Sequence, residues 1–207
     1  MAIGLIGKKI GMSQMFSSDG EIIPVTVIAV GPCAVVQKKT AACDGYTALQ
    51  IGFGEKKAEK MKKPIQGHCK KTGEKCFSVL KEFRTEDIDA YETGSEINVS
   101  LFTPGEIVKI SAVSKGKGFA GNIKRWGFNR GPMAHGSKFH RACGSTGMSA
   151  WPSKVMKGKK MPGQLGSKNV TVKNIIVDTV QDQNVIVVRG SVPGGKNGIV
   201  TISKTVK

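Results

Sequence analysis

Between Glu106 and Asp178 the chain carries no acidic residue. That window, 107–177, is 71 residues long and holds fourteen bases: Lys109, Lys115, Lys117, Lys124, Arg125, Arg130, Lys138, Arg141, Lys154, Lys157, Lys159, Lys160, Lys168 and Lys173. The other residues carry eighteen bases against fifteen acids. One third of the sequence thus supplies +14 of a formal net charge of +17. A folded surface ordinarily intersperses both signs, because unbroken like charge repels itself and weakens the compact state. A window of this composition implies a polyanion that supplies the missing negative charge: RNA, DNA or an anionic membrane surface. The membrane is the poorest fit. No stretch approaches the roughly 20 apolar residues of a spanning helix, and no long basic amphipathic helix is visible. Met1-Ala2-Ile3-Gly4-Leu5 has neither the pattern of a signal peptide nor that of a transit peptide, so a cytosolic location is expected.

On either side of the window the pattern is β. Residues 1–53 hold the β-branched run Ile22–Val30, a break at Gly31-Pro32, a second run Cys33–Thr40, a turn at Asp44-Gly45 and a third run Tyr46–Phe53. Ser17-Ser18-Asp19-Gly20 makes an earlier turn. Short strands at roughly 8–12-residue spacing suggest a barrel or a sandwich. Residues 54–76, with eight lysines among three glutamates, read as an exposed Lys-rich loop or short helix. Phe77–Phe83 returns as a strand, and Thr85-Glu86-Asp87-Ile88 as a cap with a short helical turn. Ile107–Val113, Asn169–Val180, Val185–Arg189 and Ile199–Ser203 are further strands. Across 114–168 no β-branched run survives, eleven glycines intervene, and 118–126 alone suits a short helix. The division expected is a β body, 1–113 with 169–207, interrupted by a basic extension, 114–168. An irregular insertion of that length implies a function or folding on a partner.

The densest motif is Ser114-Lys115-Gly116-Lys117-Gly118-Phe119-Ala120-Gly121-Asn122-Ile123-Lys124-Arg125-Trp126-Gly127-Phe128. Glycine lets the backbone approach a ligand closely, and Lys115, Lys117, Lys124 and Arg125 bring phosphate-directed charge. Phe119, Trp126 and Phe128 either pack on the protein or stack on bases. The motif lacks the Gly-Lys-Ser/Thr order of a nucleotide loop, and no acidic ribose partner follows. Gly144-Ser145-Thr146-Gly147-Met148-Ser149 fails as a nucleophile elbow. With no carboxylate in the window, His135 and His140 read as RNA-contacting or packing residues rather than catalysts, and no catalytic set emerges. A second basic cluster, Lys154-Val155-Met156-Lys157-Gly158-Lys159-Lys160-Met161-Pro162-Gly163, suits an extended arm between phosphate backbones. The five cysteines are odd in number and scattered, so reduced thiols are expected. His68, Cys69 and Cys76 lack a second half at ligand spacing, so no metal and no cofactor are expected.

These motifs carry a resemblance. Gly4-Leu5-Ile6-Gly7-Lys8-Lys9-Ile10-Gly11-Met12-Ser13-Gln14-Met15-Phe16 resembles the opening of the bacterial large-subunit ribosomal proteins of the L3 family. Residues 114–128 resemble the family signature, and Lys157–Gly163 its later arm; the likeness is collinear from near residue 3 to about 190. It implies a small β-barrel of translation-protein type, mostly β, with a long basic, glycine-rich extension. It implies a structural constituent of the large ribosomal subunit that binds 23S-type rRNA, nucleates assembly and touches neighbouring ribosomal proteins, with no small-molecule substrate. The RNA-contacting residues are then Lys8, Lys9, Lys115, Lys117, Lys124, Arg125, Trp126, Arg130, His135, Lys138, His140, Arg141, Lys154, Lys157, Lys159 and Lys160. The tip directed at the peptidyl transferase centre is Gly147, Met148, Ser149, Ala150, Trp151 and Pro152. The tip lacks the glutamine that some members carry methylated, so that modification is not expected here. A DNA-binding or nucleoid protein is the alternative, though no helix-turn-helix, zinc-finger or basic-zipper pattern accompanies it.

Overall fold

Runs of Val and Ile in extended alternation close a barrel. The computed structural model describes residues 3–69, 72 and 75–205. Its first strands are β1 (Gly4–Phe16), β2 (Ile22–Val30), β3 (Cys33–Lys39), β4 (Ala48–Lys56), β5 (Cys76–Arg84) and β6 (Glu96–Ile97). There follow β7 (Ile107–Val113), β8 (Phe119–Ala120), β9 (Gly163–Gln164), β10 (Asn169–Val180), β11 (Val185–Arg189) and β12 (Ile199–Lys204). Short helices α1 (Ala41–Asp44), α2 (Lys63–Cys69) and α3 (Asn122–Trp126) accompany them. The chain divides into two compact units, 1–113 with 169–207, and 114–168.

In the first unit β1-β12-β7-β10-β11-β2 form a closed barrel, every neighbouring pair antiparallel. Alternate residues of a strand face one side. Ile28 and Val30 of β2, Val108, Ile110 and Ala112 of β7, Ile186 and Val188 of β11, and Val200 and Ile202 of β12 share one buried cluster with Leu5 and Ile6. A barrel this narrow is filled by side chains alone, and each fully buried aliphatic side chain contributes about 1.5–3 kcal/mol. The mostly β architecture and the barrel agree with the sequence reading; β10 and β11 run over the residues expected of them, and β12 ends one residue later.

The chain leaves the barrel after β2. Gly31 has a φ of 77°, a left-handed turn that glycine makes at no steric cost. β3 then enters a second sheet of order β5-β4-β3-β6. Cys33, Val35, Leu49 and Ile51 on its inner face, with Val99 and Phe102, join the barrel cluster, so one core serves both sheets. Burial pushes the Cys33 thiol up to about 11, against the opposing effect of its hydrogen bond to the Ile6 carbonyl.

Among the described residues of 54–76 a short helix forms, one of the two forms expected there. β4 continues to Lys56, a 3₁₀ turn spans Ala58–Lys60, and α2 follows. The Gln66 side-chain amide donates to the carbonyls of Ala58 at 2.6 Å and Met61 at 2.9 Å, pinning the turn to the helix. Cys69 and Cys76 are both buried. Among the described residues no three of His, Cys, Asp or Glu gather at one point. The helical turn expected at 85–88 does not form, and Thr85 is buried. A stretch of four residues gains too few hydrogen bonds to offset helix nucleation.

Candidate nucleic-acid interface

The second unit is stitched together by its backbone. Ser114 N–H donates to the Lys168 carbonyl at 2.9 Å, and Ser167 N–H returns a bond to the Ser114 carbonyl at 3.2 Å. Lys117 N–H donates to the Leu165 carbonyl and Leu165 N–H to the Gly118 carbonyl, each at 2.9 Å. β8 then pairs with β9, Phe119 opposite Gln164 and Ala120 opposite Gly163. Gly166 sits on this path at a φ of 76°, and a Cβ there would lie 2.0 Å from the Lys115 carbonyl oxygen. No side chain fits at that position. The start of the first basic motif, 114–120, is therefore paired with residues 163–168, which continue directly from the second.

A side-chain clamp holds them. α3 ends at Gly127, left-handed with a φ of 70°, and its last turn carries Lys124 and Arg125, as the helix dipole favours. The Arg125 guanidinium donates to the Met161 carbonyl at 2.6 Å, and the Trp126 indole N–H to the same oxygen at 2.9 Å. Arg125 lies 4.9 Å and Lys160 5.7 Å from the Trp126 ring centroid, within cation–π range. Arg125 and Trp126 thus act within the chain, fixing the arm that carries Lys157, Lys159 and Lys160. Beyond α3, Gly131 N–H donates to the His140 carbonyl at 3.0 Å, and His140 Nδ1 lies 3.1 Å from the Pro132 carbonyl oxygen. Asn122 is buried and its side-chain amide reaches the Cys143 sulfur.

Of the fifty-five residues of this unit, all described, Ala120 and Asn122 alone are buried. Lys115, Lys117, Lys124, Arg130, His135, Lys138, Arg141, Lys154, Lys157, Lys159 and Lys160 are exposed, while Arg125 and His140 are half-buried. The unit's twelve bases face no acid of its own. At the far end Ser145 Oγ donates to the Gly147 carbonyl at 2.8 Å, Ser149 bridges Pro152, and Ser153 Oγ bonds the Ala150 carbonyl. This small turn holds out Met148 and Trp151, the latter 85% exposed.

Lys8 and Lys9 lie on β1 in the other unit. Lys8 is exposed. Lys9 is buried, and its ammonium donates to the Val192 carbonyl at 2.7 Å. Lys9, unlike Lys8, thus spends one N–H of its ammonium on the protein's own backbone. The Arg125–Trp126–Met161 clamp was not foreseen. Its partners are 35 and 36 residues apart, and no local periodicity marks such a contact.

Fold and site together define a structural β-barrel protein with a basic, acid-free extension. Residues 54–184 match the model of the family described as ribosomal protein L3. The chain is 52% identical over 208 residues to the large ribosomal subunit protein uL3 of Geobacter metallireducens and to that of Carboxydothermus hydrogenoformans, and 51% identical to that of Geobacter sulfurreducens. Each alignment covers 100% of this chain and 99% of the relative. The chain belongs to the ribosomal protein L3 family, whose members are structural proteins and not enzymes.

Proposed function

We propose that this chain is built into the large ribosomal subunit in the cytoplasm as an rRNA-binding constituent, and that segment 114–168 lies among phosphate backbones. In this reading the body, 1–113 with 169–207, fixes where the extension leaves. The lysines and arginines of the extension neutralise phosphates during early assembly, and Gly147–Pro152 points toward the peptidyl transferase centre. One observation carries the reading. The extension has a defined backbone path and twelve bases, yet it buries only two side chains and has no acid to balance its charge. Neighbouring phosphates would supply both the compensating charge and the packing surface that the polypeptide lacks. The exposed Met148 and Trp151 offer faces on which bases stack.

The test is a salt titration of the full chain on large-subunit rRNA. For about 6–10 phosphate contacts, affinity falls roughly 10³–10⁵-fold between 50 and 200 mM salt. Replacing Lys115, Lys117 and Lys124 together by Ala reduces the slope of log affinity against log salt by about 2–3, because each contact contributes roughly 0.7–0.9. A slope that does not change with these substitutions, or a flat salt response of the parent chain, overturns the proposal.

A further inference from the structure

In a chain of net charge +17, residues 10–37 hold no lysine or arginine. They hold the outer part of the β1–β2 hairpin, beyond Lys8 and Lys9. β1 pairs with β12 only over Gly4–Lys8, and β2 pairs with β11 only from Val25 onward. Residues 11–16 and 22–23 therefore form a two-stranded ribbon beyond the barrel ladder, and no other strand of the described residues pairs with them. Its turn is closed by Ser17 N–H to the Glu21 carbonyl at 2.9 Å and Gly20 N–H to the Ser17 carbonyl at 3.0 Å. It carries Asp19 and Glu21 and no base.

Residues directly opposite in an antiparallel pair point to the same face. The register sets Met12 opposite Thr26, Gln14 opposite Pro24 and Phe16 opposite Ile22, so these share a face. On it Phe16 is 68%, Ile22 59% and Met12 54% exposed. A two-stranded ribbon is marginal in water by itself, and exposed large apolar side chains gathered on one face of it, here interrupted only by Gln14, mark an interaction surface. Phosphate is the wrong partner, because the ribbon has no cation to offer and two carboxylates at its turn.

We infer that the β1–β2 hairpin is a protein-docking surface, and that its occupant is a basic protein with an apolar seat for Phe16, Ile22 and Met12 and cationic side chains facing Asp19 and Glu21. The inference rests on the proposed function, since proteins that crowd onto the same RNA are the basic partners within reach. The molecule then divides its contacts by charge: the acid-free extension goes to nucleic acid, and the base-free outer ribbon of the hairpin goes to a neighbouring protein.

The experiment places a photo-crosslinking phenylalanine analogue at position 16 of the full chain in cells, with parallel chains carrying it at 22 and at 119. Large subunits are then purified, and the adducts are identified by mass spectrometry. Adducts from 16 and 22 to one and the same basic protein of the subunit support the inference. Adducts to rRNA, to a second copy of this chain, or no adduct from either position overturn it. Position 119 reports separately on the proposed function, because an RNA adduct is expected there whatever the hairpin does. With the captured protein purified, Phe16→Asp weakens its affinity for this chain about 30-fold, the loss expected for one buried aromatic anchor, with no change in the thermal melt. A change below about 3-fold, where a single anchor is worth roughly ten times more, overturns the assignment of Phe16.

Discussion

The two units solve the problem of like charge in different ways. The barrel unit pairs its charges: Lys39 lies 3.2 Å from Glu82, Lys75 3.1 Å from Glu96, and Lys204 3.2 Å from Glu106. Such surface pairs add only about 0–1 kcal/mol each; the unit stands on its apolar cluster. The extension has neither device. Its order comes from backbone bonds, turns set by glycine, and the clamp on the Met161 carbonyl. Hydrogen bonds of that kind contribute about 0.5–1.5 kcal/mol each, against roughly 1–2 kcal/mol of backbone entropy for every residue fixed. A sequence can thus specify one path for its backbone without supplying the energy to hold it; in the proposed function the surrounding RNA supplies that energy.

Excision breaks the comparison most directly. With 115–167 replaced by a two-residue turn, the body unfolds cooperatively in a thermal melt, whereas an isolated 114–168 peptide shows no cooperative transition in low salt. A sharp melt for the peptide would erase the distinction between the units. Point substitutions repeat the contrast on a smaller scale. Ile202→Ala, in the barrel core, costs about 2–5 kcal/mol by denaturant titration, while Trp151→Ala at the exposed tip stays within about 0.5 kcal/mol.

Cys33 gives the barrel an alkaline pH dependence. Its thiol is raised from an ordinary 9.0 to about 11. In the unfolded chain the thiol ionises first as pH rises, so the folded state holds the extra proton between those values. Stability is then full below pH 9 and falls by about 2–3 kcal/mol as pH climbs toward 11. Cys33→Ala removes that portion of the alkaline loss. An identical alkaline profile for the variant contradicts the assignment, and so does rapid alkylation of Cys33 at pH 8 alongside the exposed Cys43. The smallest effect belongs to the clamp. Trp126→Phe keeps the ring and removes the N–H bonded to Met161. It costs about 1 kcal/mol and speeds amide exchange at Lys117 and Leu165 roughly fivefold. Unchanged exchange there shows that the clamp does not hold the arm.

Much of the barrel was legible because burial writes itself into strand periodicity: Ile22–Val30, Asn169–Val180 and Val185–Arg189 read as strands before any coordinate was known. Sheet membership was not legible. β3 opens with an apolar run, Cys33–Val36, much like Val185–Val188 of the barrel strand β11, and the turn at Gly31 precedes its entry into the other sheet. A short helix was one of the two forms expected within 54–76; its bounds, Lys63–Cys69, were not legible, because the Gln66 bonds to Ala58 and Met61 leave no periodic mark in the sequence. In the extension the sequence told composition well and contacts poorly. The absence of acids is visible at a glance, but the meeting of Arg125 and Trp126 with Met161 depends on the β8–β9 pairing, two residues long. Lys8 and Lys9 look alike in sequence, and only a strand's two faces separate the exposed cation from the buried one.

The barrel is sealed by a pair drawn from opposite ends of the polypeptide: Gly4 faces Ser203 and Leu5 faces Ile202. During synthesis the extension is complete long before β12 exists. At about 5–20 residues per second the interval to the end of β12 is roughly 2–7 seconds. For that time a nascent chain shows its full set of unbalanced cations beside an open, apolar half-barrel. Each newborn copy thus carries all the bases of its extension before β12 is there to pair with β1 and β7.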